Sequence, residues 1–231
     1  MTKKRAILFG PLIDPKSKKW IELVKSLKLT SKDYLVGVDL GVYQAKALGL
    51  KLDGAVGDWD GLSQKLKNVD LFLAHISNVD TYLPQKDQSD FALSLKHVLA
   101  VSNNWSEVIA VGFLGGRLDH HQAVIQELHR FIQKQKLKST LCLLLSPELK
   151  VFALSSQSVN KLQLTNVKKG QIISVFPLSS KVAGVRLKGM KYPLNQETLQ
   201  MGSTGLSNEV TNAKQCEISF ISGQLLVMVN Q

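Results

Sequence analysis

Short apolar segments alternate with amphipathic stretches through the first 145 residues, and this alternation constrains the fold more than any other feature. The apolar segments predict buried strands at 5–9, 34–38, 70–74, 108–111 and 140–145. Apolar residues at helical spacing predict helices at 18–27, 91–101 and 121–133. Strands that alternate with helices form a mostly parallel sheet covered on both faces. We therefore predict an N-terminal three-layer α/β domain over residues 1–146.

The pattern changes after Pro147, where short apolar or alternating segments are separated by Gly, Pro, Asn and Ser. These segments predict strands at 151–154, 161–164, 171–176, 182–187, 198–201, 217–221 and 225–229. No stretch in this half has the periodicity of a long helix. The pattern is typical of an antiparallel β-sandwich or barrel, which we predict over residues 147–231.

The net charge of +11, from 29 Lys and Arg residues and 18 Asp and Glu residues, bears on possible partners. A basic surface attracts nucleic acid, membranes or small anionic substrates. Here the basic residues are scattered and are not interleaved with aromatic residues, so we predict no nucleic-acid partner. We also predict a cytoplasmic protein without a membrane partner. The sequence has no long apolar run and no signal-peptide pattern, and its two cysteines are isolated.

Acidic residues of the first half follow predicted strands or precede predicted helices. The candidates are Asp39, Asp58, Asp60, Asp87, Asp90 and Asp119. Ligands of parallel sheets bind at the carboxyl ends of the strands, so the loops that carry these acids are expected to converge there. Two nearby carboxylates with phosphate oxygens are a usual setting for Mg²⁺.

Each motif also has a purely structural interpretation when it is considered alone. Asp58 and Asp60 are residues typical of a turn. One of Asp87 and Asp90 is expected to cap the following helix. Asp119, three residues before Gln122, is similar to a capping box. Glycines followed by an arginine at a helix start, as at 115–117, also suit a phosphate group.

The combination of motifs is more specific than its parts and resembles the thiamine pyrophosphokinase family. The relevant segments are Gly57-Asp58-Trp59-Asp60-Gly61, Lys86-Asp87-Gln88-Ser89-Asp90, Gly115-Gly116-Arg117-Leu118-Asp119-His120, Lys188-Gly189-Met190-Lys191-Tyr192-Pro193-Leu194 and Gly202-Ser203-Thr204-Gly205-Leu206-Ser207-Asn208-Glu209. The resemblance extends from Val38 to about Val229. The chain departs from the family pattern at Trp59, Gly61 and Ser89, where Phe, Ser and Thr are usual.

The resemblance implies a Mg²⁺-dependent transfer of pyrophosphate from ATP to the hydroxyethyl group of thiamine, giving thiamine diphosphate and AMP. It implies catalytic roles for Asp58, Asp60, Asp87 and Asp90, with either Asp90 or Asp58 orienting the substrate hydroxyl. The implied metal ligands are Asp58, Asp60, Asp87 and Asp119. The implied nucleotide-binding residues are Asp39, Lys86, Gly115, Gly116, Arg117 and Asp119. A homodimer is implied, with Tyr192, Ser207 and Asn208 of the β domain at the thiamine site.

Two other functions remain open from the residues alone. An Asp-x-Asp loop after a strand also suits a Mg²⁺-dependent phosphohydrolase that forms an aspartyl phosphate. A basic chain with a β half also suits an oligonucleotide-binding module, whose affinity would fall steeply with salt. The first alternative leaves the segment 202–209 unexplained, and the second leaves the acidic loops without a purpose.

Overall fold

A computed structural model describes residues 5–85, 87–134, 139–203 and 205–231, with the side chain of residue 134 left out. The described residues up to Leu128, together with Leu144–Pro147, form one compact unit. The described residues of His129–Leu143 and Glu148–Gln231 form a second unit. The two units are described separately.

The first unit contains a parallel sheet with helices between its strands. Its strands are β1 (Arg5–Phe9), β2 (Tyr34–Val38), β3 (Gly54–Gly57), β4 (Asn78–Thr81) and β5 (Glu107–Val111), in the spatial order β5-β1-β2-β3-β4. Its helices are α1 (Lys18–Ser26), α2 (Gly41–Ala47), α3 (Asp60–Ser63), α4 (Val69–Leu73) and α5 (Asp90–Val101). Helix α6 (Leu118–Lys134) begins in this unit and continues past its end.

The central strands are buried along almost their whole length, as expected when helices cover both faces of a parallel sheet. Ile7, Leu8 and Phe9 of β1 are fully buried. Helix α5 packs on β2 and β3 and buries Phe91, Leu95 and Val98. The predicted mostly parallel α/β fold of this half is confirmed.

The strand predicted at 70–74 is wrong, because these residues belong mainly to helix α4. Asn68 caps this helix, and its side chain accepts a hydrogen bond from the Leu71 N–H at 2.9 Å. An apolar run of five residues is too short for its periodicity to separate a strand from a helical turn. The cap at Asn68 was the signal that favoured the helix.

The second unit contains two antiparallel arrangements of strands, and β6 (Leu141–Leu145) lies at the division between the units. Its other strands are β7 (Leu149–Ser155), β8 (Lys161–Gln163), β9 (Ile172–Pro177), β10 (Lys181–Lys188), β11 (Leu194–Gln200), β12 (Gly205–Glu209), β13 (Glu217–Ser219) and β14 (Gln224–Asn230). One arrangement has the order β12-β9-β14-β7 and the other β11-β10-β13-β8. The predicted antiparallel β fold is confirmed.

Alternating buried residues give the second unit its own core. In β9, Ile173 and Val175 are buried, and in β10, Val182, Val185 and Leu187 are buried. Strands β10 and β14 of the two arrangements are in contact. None of the helices in the described part of the chain is long and apolar enough to span a membrane.

Candidate active site

A cavity of about 460 Å³ in the first unit collects acidic residues from four separate segments of the chain, one of which is α6 with Glu127. Asp39 follows β2, Asp58 follows β3, and Asp87 and Asp90 lie at the start of α5. Parallel strands bring their carboxyl ends to one edge of the sheet, which explains why residues so distant in sequence meet. The structure therefore brings together four of the six predicted acids.

Asp39 has an unusual position in this cluster. Its backbone is left-handed, with φ of 46°, and the residue is half-buried, with the carboxyl oxygen Oδ1 shielded from solvent. Burial is the main cause that raises the pKa of its carboxyl group, and the nearby charges of Asp90 and Asp58 raise it further. Hydrogen bonds from the backbone of Leu40 and Gly61 partly offset this rise.

Gly61 allows the close approach of Asp39 to the start of α3. A Cβ atom at this position would lie 2.8 Å from Asp39 Oδ2, which is closer than ordinary contacts permit. Glycine has no Cβ and so lets the backbone approach the carboxylate. The glycine that this chain has at position 61, where the family usually has Ser, therefore leaves room for the Asp39 carboxylate.

We expect Asp39→Asn to raise the unfolding temperature of the metal-free protein at neutral pH. A carboxyl whose pKa is raised by folding stabilises the fold when protonated, and this stabilisation is lost as the pH rises through the folded-state pKa. Asn removes the buried charge and keeps an acceptor oxygen, for a gain of about 1 kcal/mol. Thermal unfolding in EDTA measures the change, which should shrink as the pH is lowered toward that pKa. A lower unfolding temperature at neutral pH would contradict this account.

Oxygen atoms without partners indicate what the cavity can bind. Asp39 Oδ1 and Gln88 Oε1 are both buried, and neither has a hydrogen-bond partner in the structure as described. No three Asp, Glu, His or Cys side chains among the described residues are arranged to hold a metal ion by themselves. Mg²⁺ in phosphate-transfer sites is usually held by one or two carboxylates, water and substrate phosphates. The donor set of the cavity fits such a partly protein-bound ion.

The turn after β3 places Asp58 and Asp60 differently. Asp58 lines the cavity, whereas Asp60 is the first residue of α3, has an exposed side chain and does not line the cavity. The Asp60 N–H donates to Asp58 Oδ1 at 3.3 Å. Trp59 between them has a left-handed backbone, with φ of 67°.

The cap of α5 is Ser89, so the expectation that Asp87 or Asp90 caps this helix is wrong. The Ser89 hydroxyl accepts a hydrogen bond from the Ala92 N–H at 3.1 Å and donates one to Glu127 Oε2 at 2.6 Å. A serine hydroxyl can do both, which a carboxylate cannot. Neither acid is therefore needed as the cap, and Asp90 lies in the first turn, where the helix dipole favours a negative charge.

The segment before α6 has two glycines in the left-handed region, and its charged residues bind each other. Gly115 and Gly116 have φ of 104° and 66°, which other residues rarely adopt. Arg117 makes two hydrogen bonds to Asp119, Nε to Oδ1 at 3.1 Å and Nη2 to Oδ2 at 2.6 Å. Both side chains are exposed, and neither lines the cavity. Asp119 is the second residue of α6 and does not precede the helix as a cap would.

We expect Arg117→Ala to raise the pKa of Asp119. The hydrogen bonds from Arg117 are the main cause that holds this pKa at about 2, with the His120 N–H as a second donor. Without the guanidinium, the pKa moves toward 3.8 but stays below it, because the His120 N–H remains. The carboxyl ¹³C shift of Asp119 followed against pH measures the change. An unchanged titration would mean that the pair does not persist in solution.

In the second unit, two of the three predicted substrate residues, Tyr192 and Asn208, contact each other. Asn208 is buried and both ends of its amide bind the backbone of Tyr192: Oδ1 accepts from the N–H at 2.9 Å and Nδ2 donates to the C=O at 2.8 Å. Tyr192 is 60% exposed. Ser207 has φ of 55°, and its N–H donates to Ser174 Oγ at 3.1 Å. The polar atoms of Asn208 thus hold the segment that presents Tyr192.

Some predicted or relevant residues need separate mention. Lys86 lies outside the described residues. Gln88 and Glu127 line the cavity but were not predicted from the sequence. The position of Gln88 between Asp87 and Asp90 was a usable signal for it, whereas nothing local marked Glu127, which lies on the distant helix α6.

A parallel α/β unit with carboxylates at the ends of its strands, in a chain that also carries an antiparallel β unit, is an arrangement that suits an enzyme acting on phosphate groups through a metal ion. Residues 26–141 match the family model "Thiamin pyrophosphokinase, catalytic domain", and residues 160–225 match "Thiamin pyrophosphokinase, vitamin B1 binding domain". The chain belongs to the thiamine pyrophosphokinase family. The activity of this family is the transfer of pyrophosphate from ATP to thiamine.

Individual relatives agree with this assignment. The chain is 28% identical over 195 residues to "Thiamine pyrophosphokinase" of Bacillus subtilis, which covers 84% of this chain and 85% of the relative. The crystal structure of thiamine pyrophosphokinase from Bacillus subtilis matches with a TM-score of 0.77, 23% identity and coverage of 100% and 99% of the two chains. Thiamin pyrophosphokinase from Candida albicans has the same fold, with a TM-score of 0.73, 15% identity and coverage of 99% and 89%.

Proposed function

We propose that the acidic cavity of the first unit is the centre of a Mg²⁺-dependent pyrophosphate transfer from ATP to thiamine. The observation that carries the proposal is the cluster of Asp39, Asp58, Asp87 and Asp90 around one cavity, with the buried Asp39 Oδ1 left without a partner in the described structure. A cluster of negative charge that raises the pKa of its own member favours a cation. When bound, Mg²⁺ would neutralise the phosphate charge that develops during transfer.

The carboxylates then divide into ligands and positioning groups. Asp58 and Asp87 are proposed as ligands of the ion, with Asp60 and Asp119 completing the set once substrate is bound. A carboxylate engaged by a cation is a weaker base, which leaves Asp90 rather than Asp58 to orient the hydroxyl of thiamine. Asp90 accepts a hydrogen bond from that hydroxyl and holds its oxygen in line with the phosphorus under attack. Asp39 contributes to the nucleotide site and to the negative potential of the cavity.

The loop before α6 is proposed to receive the phosphate groups. Gly115 and Gly116 allow close backbone approach, and Arg117 offers a planar fork that suits phosphate oxygens. Arg117 would exchange the Asp119 carboxylate for phosphate, which frees Asp119 for the ion. Lys86 is proposed to bind the same phosphates.

The second unit is proposed to provide thiamine contacts and a homodimer interface. Tyr192 offers an exposed ring, and Ser207, the residue before Asn208, is exposed as well. Asn208 is proposed to act mainly by fixing Tyr192. Met201, Leu206 and Ile221 are also exposed apolar residues of this unit, as is common where copies associate. Sedimentation equilibrium tests the dimer, and the cytoplasmic location stays a prediction.

Product analysis with Mg²⁺, ATP and thiamine tests the activity. Thiamine diphosphate and AMP in equal amounts, lost on addition of EDTA, are expected. ADP with thiamine monophosphate would indicate a simple kinase. Phosphate released whether or not thiamine is present would indicate a phosphohydrolase.

A further inference from the structure

Trp59 lies between the two acids of the turn after β3 and has a backbone conformation that non-glycine residues seldom adopt. Its φ is 67°, and its side chain is only 8% exposed. Residues of this size are rare in the left-handed region unless the surrounding structure holds them there. Trp59 lies directly between Asp58 and Asp60. Its backbone conformation therefore affects the positions of both carboxylates.

Two hydrogen bonds connect this turn to the end of β4, the edge strand of the parallel sheet. Trp59 Nε1 donates to Thr81 Oγ1 at 2.9 Å, and the Tyr82 N–H donates to the Gly57 C=O at 3.0 Å. The indole ring also lies against Gly57, where a Cβ atom would be 3.2 Å from Trp59 Cζ3. Three contacts therefore hold the turn: the hydrogen bond of the Trp59 ring to Thr81, the backbone hydrogen bond between Tyr82 and Gly57, and the packing of the ring on Gly57.

Strand β4 is itself anchored to helix α5 through Asp80, the residue before Thr81. Asp80 Oδ2 lies 2.7 Å from Nδ1 of the buried His97 on α5, and His97 Nε2 lies 3.1 Å from the hydroxyl of Tyr34 on β2. The same helix α5 begins with Asp90. Asp87, which also lines the cavity, lies six residues after Thr81 along the chain.

We propose that Thr81 is a positioning residue, whose hydroxyl holds Trp59 in its left-handed conformation and thereby fixes Asp58 in the cavity. The inference rests on the proposed function, in which Asp58 is a ligand of Mg²⁺. The hydrogen bond requires an indole N–H, which phenylalanine, the usual residue of the family pattern at this position, does not have. The Trp59–Thr81 connection is thus a feature that this chain adds to the motif.

The test compares Thr81→Val with Thr81→Ser. Valine keeps the branched shape and strand preference but removes the acceptor, whereas serine keeps the hydroxyl. In wild type and Thr81→Ser, the Trp59 Nε1–H is expected to exchange slowly with solvent, as measured by NMR with the resonance assigned through Trp59→Phe. In Thr81→Val it is expected to exchange fast. Titration with Mg²⁺ alone should show an affinity reduced by about three- to tenfold in Thr81→Val, from the loss of one hydrogen bond, and restored in Thr81→Ser.

A double-mutant cycle makes the pairing specific. The loss of Mg²⁺ affinity from Thr81→Val should largely disappear when Trp59→Phe is already present, because the same hydrogen bond cannot be removed twice. Wild-type Mg²⁺ affinity in Thr81→Val, or effects that multiply in the double variant, would overturn the proposal. If the wild-type protein makes no thiamine diphosphate but its Mg²⁺ affinity still depends on Thr81, the proposed activity fails and the positioning role stands.

Discussion

Asp58→Asn is expected to lower kcat of pyrophosphate transfer by roughly 10³-fold while leaving the fold intact. Asp58 follows β3 and lines the cavity together with Asp39, Asp87 and Asp90. An amide at this position removes a full negative charge from the proposed ion, and losing a charge-stabilising contact of a few kcal/mol costs a rate factor of this order. The Asn oxygen can still accept the hydrogen bond that the Asp60 N–H donates at 3.3 Å. The turn should therefore keep its conformation.

Steady-state kinetics at saturating ATP and thiamine measure this loss, and the unfolding temperature reports the fold. Asp70→Asn provides a matched control, because Asp70 is an exposed acid on α4 that does not line the cavity. It should keep wild-type turnover. The Asp58 variant should also need more Mg²⁺ for half-maximal rate. Turnover near that of wild type with unchanged Mg²⁺ dependence would show that Asp58 does not act on the ion.

The fold of the first unit could be predicted where hydrophobic burial decides the structure. Strands β1 and β2 have the predicted bounds, because a run of buried apolar residues between turns has few alternatives in an α/β fold. Strand β4 was not predicted, since Asn78-Val79-Asp80-Thr81 has one apolar residue and is formed by pairing with β3 at the sheet edge. The sequence pattern predicts a strand where the structure has helix α4, because a segment of five residues is too short to show helical periodicity.

The candidate site could be predicted as a set of loops but not as a set of contacts. The convergence of Asp39, Asp58 and Asp90 follows from parallel topology, which the sequence pattern already indicated. Hydrogen bonds between side chains depend on distances that no pattern contains. The pairing of Arg117 with Asp119 is an example, because Arg117 is predicted at the nucleotide and Asp119 at the nucleotide and the metal, and nothing in the sequence pattern indicates that the two side chains bind each other.

Gly41→Ala is expected to destabilise the protein by more than about 4 kcal/mol, the range in which single substitutions are exceptional. Gly41 begins α2, which packs on the end of β1. An added Cβ would overlap the carbonyl oxygen of Phe9 and lie 2.7 Å from its carbonyl carbon. Phe9 is fully buried and pairs with β2 and β5 on both sides, so the backbone of β1 cannot move aside. The helix would have to shift instead, together with the turn that carries Asp39.

Thermal unfolding followed by far-UV circular dichroism measures this effect, with Gly49→Ala as the matched control at the other end of α2. Gly49 has φ of 76°, but a Cβ there meets no atom within 4 Å. Its substitution therefore costs only the strain of a left-handed backbone, about 1 kcal/mol. A typical domain of this length loses about 2–4 °C per kcal/mol, so the Gly41 variant should unfold about 10 °C or more below wild type, or fail to fold, while the control falls by only a few degrees. Equal shifts in the two variants would show that α2 moves away from β1 at little cost, and that the position of Asp39 is set by the strand end alone.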